Sequence, residues 1–530
     1  MIVFQPFRHI SRSLLVLAVA VVGMGMVGAL PAKAQDGLYI KEYRVEGAAH
    51  LPRREVERAV YRYLGPGRSD KDVEQARAAL EKAYRDNGFQ TVTVQVPQQR
   101  VQDGVVLLQV SEVTVGRLRV KNSRYFLPSD IKKQAPSLQE GTVMDFNAVS
   151  ADIVALNRNS DMQVTPSLRA GAEPNTVDVD LDVKDVRPLH GSLELNNRYS
   201  SDTTPLRLNG SVRYDNLWQL YHSAGASFQV APEDVGEVKV FSAFYTARFS
   251  QVPELSLTIQ GTKQDSNVST LGTTDVAGKG EYVGPHITWV LPNGKDFYHS
   301  FNAGIDYKHF ENNVVASGET TQTPITYYPF SFGYGASWVK KGAVTEFNGA
   351  INTHFRGMGD DPTQFDDNRY NARSDYIYFR GDLSHTHDLP AGFQVFGKVQ
   401  GQISDQPLIS NEQFSAGGLN TVRGYLESAT MGDNALVGSV ELRSPSFGQW
   451  VKTHVDDWRV YVFTEGGALN KRNALPDEEA HNSLASWGVG SRIRVSEHFN
   501  GSFDLGIPLI GTSNTNPHDV LYTFRLWADF

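Results

Sequence analysis

Arg423 lies in the glycine-rich run Ala416-Gly417-Gly418-Leu419-Asn420-Thr421-Val422-Arg423-Gly424-Tyr425. Glycine permits tight turns and close backbone approach, and the guanidinium is a planar fork that stays charged at any physiological pH. Farther along, Val462-Phe463-Thr464-Glu465-Gly466-Gly467 has the alternation of a strand. It turns Trp458, Val460 and Val462 to one side and Arg459, Tyr461, Phe463 and Glu465 to the other. A carboxylate on a strand wall and an arginine on an adaptable loop can form a bidentate pair. Such a pair holds a loop in place and makes or breaks no covalent bond.

Bond-making chemistry has little support elsewhere in the chain. There is no Gly-x-Ser-x-Gly elbow, no His-Glu-x-x-His and no cysteine, so the usual hydrolase and zinc-protease signatures are missing. His385 and His387 stand two apart without further ligands in sequence. Asp178, Asp180 and Asp182 alternate with Val177, Val179, Leu181 and Val183, which reads as a solvated strand face and not a calcium loop. No enzyme, metal or cofactor is therefore expected. The formal charge is −9, and it becomes about −12 once Arg8, Arg12 and Lys33 of the leader are removed, which argues against a nucleic-acid partner.

The leader sets the compartment. Arg8 and Arg12 precede an apolar run from Leu14 to Leu30, closed by Ala32-Lys33-Ala34, the pattern of a secretory signal peptide over residues 1–34. Beyond it no apolar stretch approaches the roughly 20 residues of a membrane-spanning helix, so membrane residence requires a closed barrel. The mean hydropathy of −0.34 suits a barrel, whose lipid and lumen faces cancel in a window average.

Composition changes near residue 188. Before it stand two blocks of the order β-α-α-β-β, over 35–111 and 112–187. In the first, Tyr39 to Val45 is a strand and Leu51 to Leu64 a helix. A second helix starts at Ser69-Asp70, puts Val73, Ala76, Leu80 and Tyr84 on one face, and ends at Asn87-Gly88. From 188 to 530, sixteen candidate strands centre near Glu194, Asn209, Ala226, Ala243, Thr258, His286, Gly304, Phe332, Gly349, Arg380, Gly397, Val440, Val462, Gly490, Phe503 and Phe524. An even number of antiparallel strands closes with both ends on one side. Leu436, Gly438, Val440 and Leu442 would face lipid, and Ser439, Glu441 and Arg443 a hydrated lumen. The final strand ends on Phe530. The expected fold is thus α+β repeats followed by a membrane all-β barrel of 16 antiparallel strands. Residues 406–434, a long segment with no secondary structure of its own, would be inserted in the barrel.

The two blocks resemble polypeptide-transport-associated (POTRA) domains. Val422, Arg423, Gly424 and Tyr425, together with Phe463, Glu465 and Gly467, resemble the V-R-G-Y/F and F-x-D-x-G motifs of two-partner-secretion outer-membrane transporters, the TpsB class. Glutamate stands here in the aspartate position. Asn197-Arg198-Tyr199-Ser200 and Tyr214-Asp215-Asn216-Leu217-Trp218 also resemble the start of that family's barrel. The resemblance implies that a partner exoprotein, unfolded in the periplasm, crosses the outer membrane of a Gram-negative bacterium through the barrel. The inserted loop, latched by Arg423 to Glu465, would gate the pore. Outer-membrane lipids, the barrel-assembly machinery and a monomeric state are the other expectations, and a barrel or lipid assembly factor is the alternative. The family's amphipathic plug helix has no room between Gln35 and the first repeat. Either the loop alone restricts the pore or the chain belongs to a divergent branch.

Overall fold

The computed structural model describes residues 37–530, apart from positions 158, 202, 250, 266–267, 270–275, 278, 293, 317–318, 360–362, 449, 452–453 and 477. The expected signal peptide lies outside the described residues. Two compact units emerge, one running through Arg119 with Gln134–Leu156 and Thr165–Leu181, the other comprising Val120–Lys133, Asn157–Val164 and Asp182–Phe530.

The first block folds around its two helices, Arg53–Tyr61 and Asp70–Asp86. The Ser69 amide donates to the Asp72 carboxylate at 2.8 Å, which fixes the helix start. Val73, Ala76, Leu80 and Tyr84 all point into the core, as their spacing requires. Gly88 ends the helix with φ +96°, a conformation that favours glycine. The helices pack on a sheet ordered Glu42–Glu46, Val105–Ser111, Thr93–Gln95, whose first pair is parallel. The expected single strand from Tyr39 to Val45 is broken at Lys41. Its amide turns to Gly104 O, and Leu38–Ile40 pairs instead with Gly65–Arg68.

A second sheet places Thr176–Asp185 between Thr114–Lys121 and Met162–Ala170. Here the solvated face expected for Asp178 and Asp180 does not exist, since both are buried. They sit on the central strand, where arginines reach across from both neighbours: Arg119 lies 3.3 Å from Asp178 and Arg169 lies 2.7 Å from Asp180. Long guanidinium side chains pair with the two carboxylates and shield them from water.

From Leu189 onward sixteen antiparallel staves close into a barrel. They are β1 (Leu189–Asn196), β2 (Arg207–Leu217), β3 (His222–Val230), β4 (Lys239–Phe249), β5 (Val252–Asp265), β6 (Lys279–Val290), β7 (Phe297–Ile305 continued by Tyr307–Ala316) and β8 (Glu319–Tyr327 continued by Phe330–Lys340). They continue as β9 (Ala343–Thr353), β10 (Ile377–Asp388), β11 (Gln394–Ser404), β12 (Asn434–Arg443), β13 (Val455–Asn470), β14 (His481–Val495), β15 (Phe499–Pro508) and β16 (Leu521–Asp529). Each expected centre falls within its stave. The breaks in β7 and β8 face one another, where Pro329 has no amide to donate and its carbonyl accepts from Asp306 N. Alternation sorts the two faces. Leu436, Val440 and Leu442 are 63%, 53% and 44% exposed on the outside, whereas Glu441 is 2% exposed within. Among the described residues no helix is long and apolar enough to cross a membrane.

The closing seam joins Ser192–Asn196 of β1 to Arg525–Asp529 of β16. At one end Gly191 and Phe530 exchange both backbone hydrogen bonds, which gives the terminal aromatic a fixed place.

Candidate functional site in the barrel lumen

The segment between β11 and β12 turns inward. It carries its own structure, contrary to the expectation of an irregular loop: a helical turn at Ser410–Glu412 and a short hairpin pairing Phe414–Ala416 with Thr430–Gly432. Three-residue strands are too short to show an alternation, so nothing in the sequence marks them. The hairpin tip folds on itself. Gly417 N donates to the Thr421 hydroxyl at 2.8 Å, which in turn donates to Gly417 O.

The tip is seated by apolar packing and by charge. Val422 and Tyr425 are buried with Phe414 and Ala416 against Val437 of β12, Leu469 of β13 and Leu484 of β14. Gly424 adopts φ +92°, and a Cβ there would lie 3.1 Å from the Gly506 carbonyl carbon on β15. Two glycines are therefore needed where loop and wall backbones meet. Tyr425 Oη reaches Ala485 O at 2.9 Å and Ile510 O at 2.7 Å.

Arg423 lies at the centre. Its amide donates to Glu465 Oε2 at 2.6 Å and its Nε to Glu465 Oε1 at 3.0 Å. Nη1 donates to Asp504 Oδ1 at 3.0 Å, and Nη2 stands 2.8 Å from Glu441 Oε1. The guanidinium stacks 3.6 Å from the Phe463 ring centroid. Ser439 Oγ also donates to Glu465, and Tyr461 Oη to Asp504, each at 2.8 Å. Gly467 leaves room for β12, since a Cβ there would come within 2.7 Å of Val437 Cγ2. The structure thus assembles all seven residues singled out in the sequence: Val422, Arg423, Gly424, Tyr425, Phe463, Glu465 and Gly467.

It also adds partners that the motif does not contain. Arg423 faces three buried carboxylates, and Arg443 and Arg492 approach Glu441 from the other side at 2.7 Å and 3.3 Å. Alternation alone put Glu441 in the lumen; Asp504 carried the same signal, as a lone acid between Phe503 and Leu505 in a strand. At the loop's base the buried Glu412 accepts from Lys308 Nζ at 2.7 Å and from Tyr327 and Tyr378 Oη at 2.6 Å each. Asp433 accepts from Leu408 N, Gln413 Nε2 and Arg472 N.

Among the described residues one grouping has ligand spacing, Asp161, His190 and Asp215, and there Arg213 Nε already donates to Asp215 at 2.6 Å. His385 and His387 stack with ring centroids 5.8 Å apart, and His385 Nδ1 lies 2.8 Å from Thr345 Oγ1.

A chain that joins a POTRA-type domain to a closed barrel with an inward-folded loop has the architecture of an outer-membrane β-barrel protein of the transport class. The chain belongs to the haemolysin secretion/activation protein family ShlB/FhaC/HecB, whose model matches residues 175–493, and the ShlB-type POTRA model matches residues 38–112. Curated relatives include the outer membrane transporter CdiB of Dickeya dadantii, 20% identical over 94% of this chain and 89% of that protein. The heme/hemopexin transporter protein HuxB of Haemophilus influenzae is 20% identical over 86% of this chain and 80% of its own length. Among solved structures, CdiB from Escherichia coli superposes with a TM-score of 0.68 at 18% identity, covering 95% of this chain and 93% of that one. BamA from Haemophilus ducreyi lacking POTRA domains 1–3 gives 0.57 at 14% identity, over 93% and 100%. The protein resides in the outer membrane, with its POTRA region in the periplasm.

Proposed function

We propose that this transporter passes an unfolded partner exoprotein from the periplasm through its barrel, and that the loop between β11 and β12 is the gate. The observation that carries the reading is the placement of Arg423 among Glu465, Asp504 and Glu441 in the lumen. One side chain ties the loop to β12, β13 and β15 at once, so its release is a step that opening of the pore requires. The names of the relatives, transporters of the outer membrane, agree with export. The blocks at 35–111 and 112–187 act as two POTRA domains that receive the client along open sheet edges. Direction comes from folding of the client outside the cell.

A barrel-assembly role is the second reading, and the short β1–β16 seam favours it, because opening there would admit another strand. The test compares surface and culture-fluid proteins of the native host, a strain deleted for this gene and the complemented deletion. Export predicts loss of one or two large proteins with other barrels unchanged. Loss of many barrels would replace export by assembly, and no change in either set would remove both.

A further inference from the structure

A further buried ion pair lies outside the Arg423 cluster and the Glu412 site. Arg198 Nε donates to Glu427 Oε1 at 2.7 Å, and the two side chains are 8% and 4% exposed. Glu427 belongs to the hairpin tip, and Arg198 is the second residue beyond the end of β1. Their backbones are joined as well, since Glu427 N donates to Tyr199 O at 3.0 Å. The same carboxylate receives Leu419 N at 3.3 Å, so this one group orders the tip while binding it to the first stave.

The chain of bonds continues to the seam. Arg198 N donates to Asn196 Oδ1 at 2.9 Å, and Asn196 Nδ2 to Glu194 Oε1 at 2.7 Å. Glu194 of β1 receives a bidentate pair from Arg525 of β16, Nε at 2.9 Å and Nη2 at 2.8 Å. Asn197 extends the seam past the end of β1 with its amide. Its Nδ2 donates to Tyr522 O at 2.9 Å, and its Oδ1 accepts Phe524 N at 2.7 Å. The residues that position Arg198 on the loop are thus the residues that bind β1 to β16.

We propose that Arg198 and Glu427 are a positioning pair that couples the inserted loop to the closing seam of the barrel, so that departure of the loop loosens β1 from β16. Releasing Arg423 alone leaves the tip tethered at Glu427, and both must let go for the loop to leave. Glu427 holds Arg198 by its carboxylate and Tyr199 by its amide, so when Glu427 goes the backbone after β1 loses both bonds to the loop. The Asn196 and Asn197 side chains, which link this segment to β1 and β16, shift with it. The inference rests on the gating reading above and adds to it a mechanical consequence for the wall.

The natural chain contains no cysteine, so a seam reporter can be placed without background. Ser192 and Asp529 are register partners. They adjoin the hydrogen-bonded Gly191–Phe530 pair and form a non-hydrogen-bonded site, with Cα atoms about 4.5 Å apart, within disulfide range. Full-length Ser192→Cys/Asp529→Cys protein in nanodiscs is exposed to a water-soluble maleimide in competition with oxidative cross-linking. A second reporter at the β9–β10 partners Thr345 and His385 monitors general loosening.

Seam labelling is expected to rise about tenfold or more in Arg198→Ala and in Glu427→Gln, the shift from losing one buried charge-assisted hydrogen bond, and to stay near the wild-type level in Arg423→Ala, whose tip remains tethered at Glu427. The Thr345/His385 reporter stays constant. Unchanged seam labelling in Glu427→Gln, whose near-isosteric side chain keeps the barrel folded, overturns the coupling, and so does an equal rise at both reporters. Partner export in the same variants separates the two ideas. Normal export by Arg423→Ala removes the gating reading, whereas lost export with an unmoved seam in Glu427→Gln removes only the coupling.

Discussion

Replacing Arg423 with alanine tests how the loop is held. In the docked state the loop covers Glu465 and Asp504, which are 7% and 2% exposed. Alanine leaves both without their guanidinium, while Glu441 keeps Arg443 and Arg492. In the released state the same carboxylates face lumen water. The penalty therefore falls on the docked state alone, and breaking a buried pair of this kind costs about 3–5 kcal/mol. At ~1.4 kcal/mol per factor of ten, the docked population falls by about two to nearly four powers of ten relative to the released one. Hydrogen exchange of the 406–434 peptides in nanodisc-embedded protein reads this directly, because the amides at 423 and 427 are bonded to Glu465 and to Tyr199 O, partners outside the loop that they meet only when the tip is seated. Adding Glu465→Gln to Arg423→Ala removes one stranded charge, so the double variant should regain part of the protection, with a coupling of roughly 2 kcal/mol. Protection of the tip unchanged in Arg423→Ala, or strict additivity of the two substitutions, would refute the argument that these buried charges hold the loop.

Four further outcomes follow from the geometry. Gly424→Ala, at φ +92° with its Cβ facing Gly506, should cost about 1–2 kcal/mol of docking, read as roughly tenfold faster exchange in the tip with the barrel intact. Tyr425→Phe leaves the Ala485 and Ile510 carbonyls without the hydroxyl and should cost about 1–2 kcal/mol by the same measurement. Glu412→Ala strands Lys308 against Tyr327 and should free residues 405–416 before the Arg423 tip, seen as selective exchange of the base. Burial works to raise the Glu112 carboxyl, but hydrogen bonds from the His50 amide and ring, the Ala49 amide and the Tyr84 hydroxyl outweigh it and hold the group below the usual carboxylate range. A depressed folded pKa stabilises the first POTRA domain above the unfolded value of about 4.3, and that contribution is lost as pH falls through the folded value. Exchange over residues 37–112 should therefore accelerate on acidification below about pH 4, and Glu112→Gln should flatten this dependence.

The staves were legible because period-two alternation is a local signal, strong enough that Leu436, Val440 and Leu442 separate from Glu441 without any knowledge of neighbours. Helix Asp70–Asp86 was legible for the same reason, with its cap and its apolar face both local. The break at Pro329 had a visible cause, but two half-strands share one parity and read as one. The Arg423–Glu465 meeting was legible through a resemblance that already pairs a loop with a strand. Asp504 joins that site from β15 and Arg198 reaches Glu427 from β1. No local pattern encodes such cross-barrel partners; closure of the barrel creates them. Asp178 and Asp180 were misread as solvated because the arginines that cover them belong to other strands.

The most direct test of the central claim is export itself. In the deletion host, the amount of the secreted partner at the surface and in the culture fluid is compared for wild type and Arg423→Ala, with folded barrel in the outer membrane confirmed by heat-modifiable mobility. The account predicts that wild type restores export and that Arg423→Ala, equally abundant and folded, does not; full export by Arg423→Ala would contradict it.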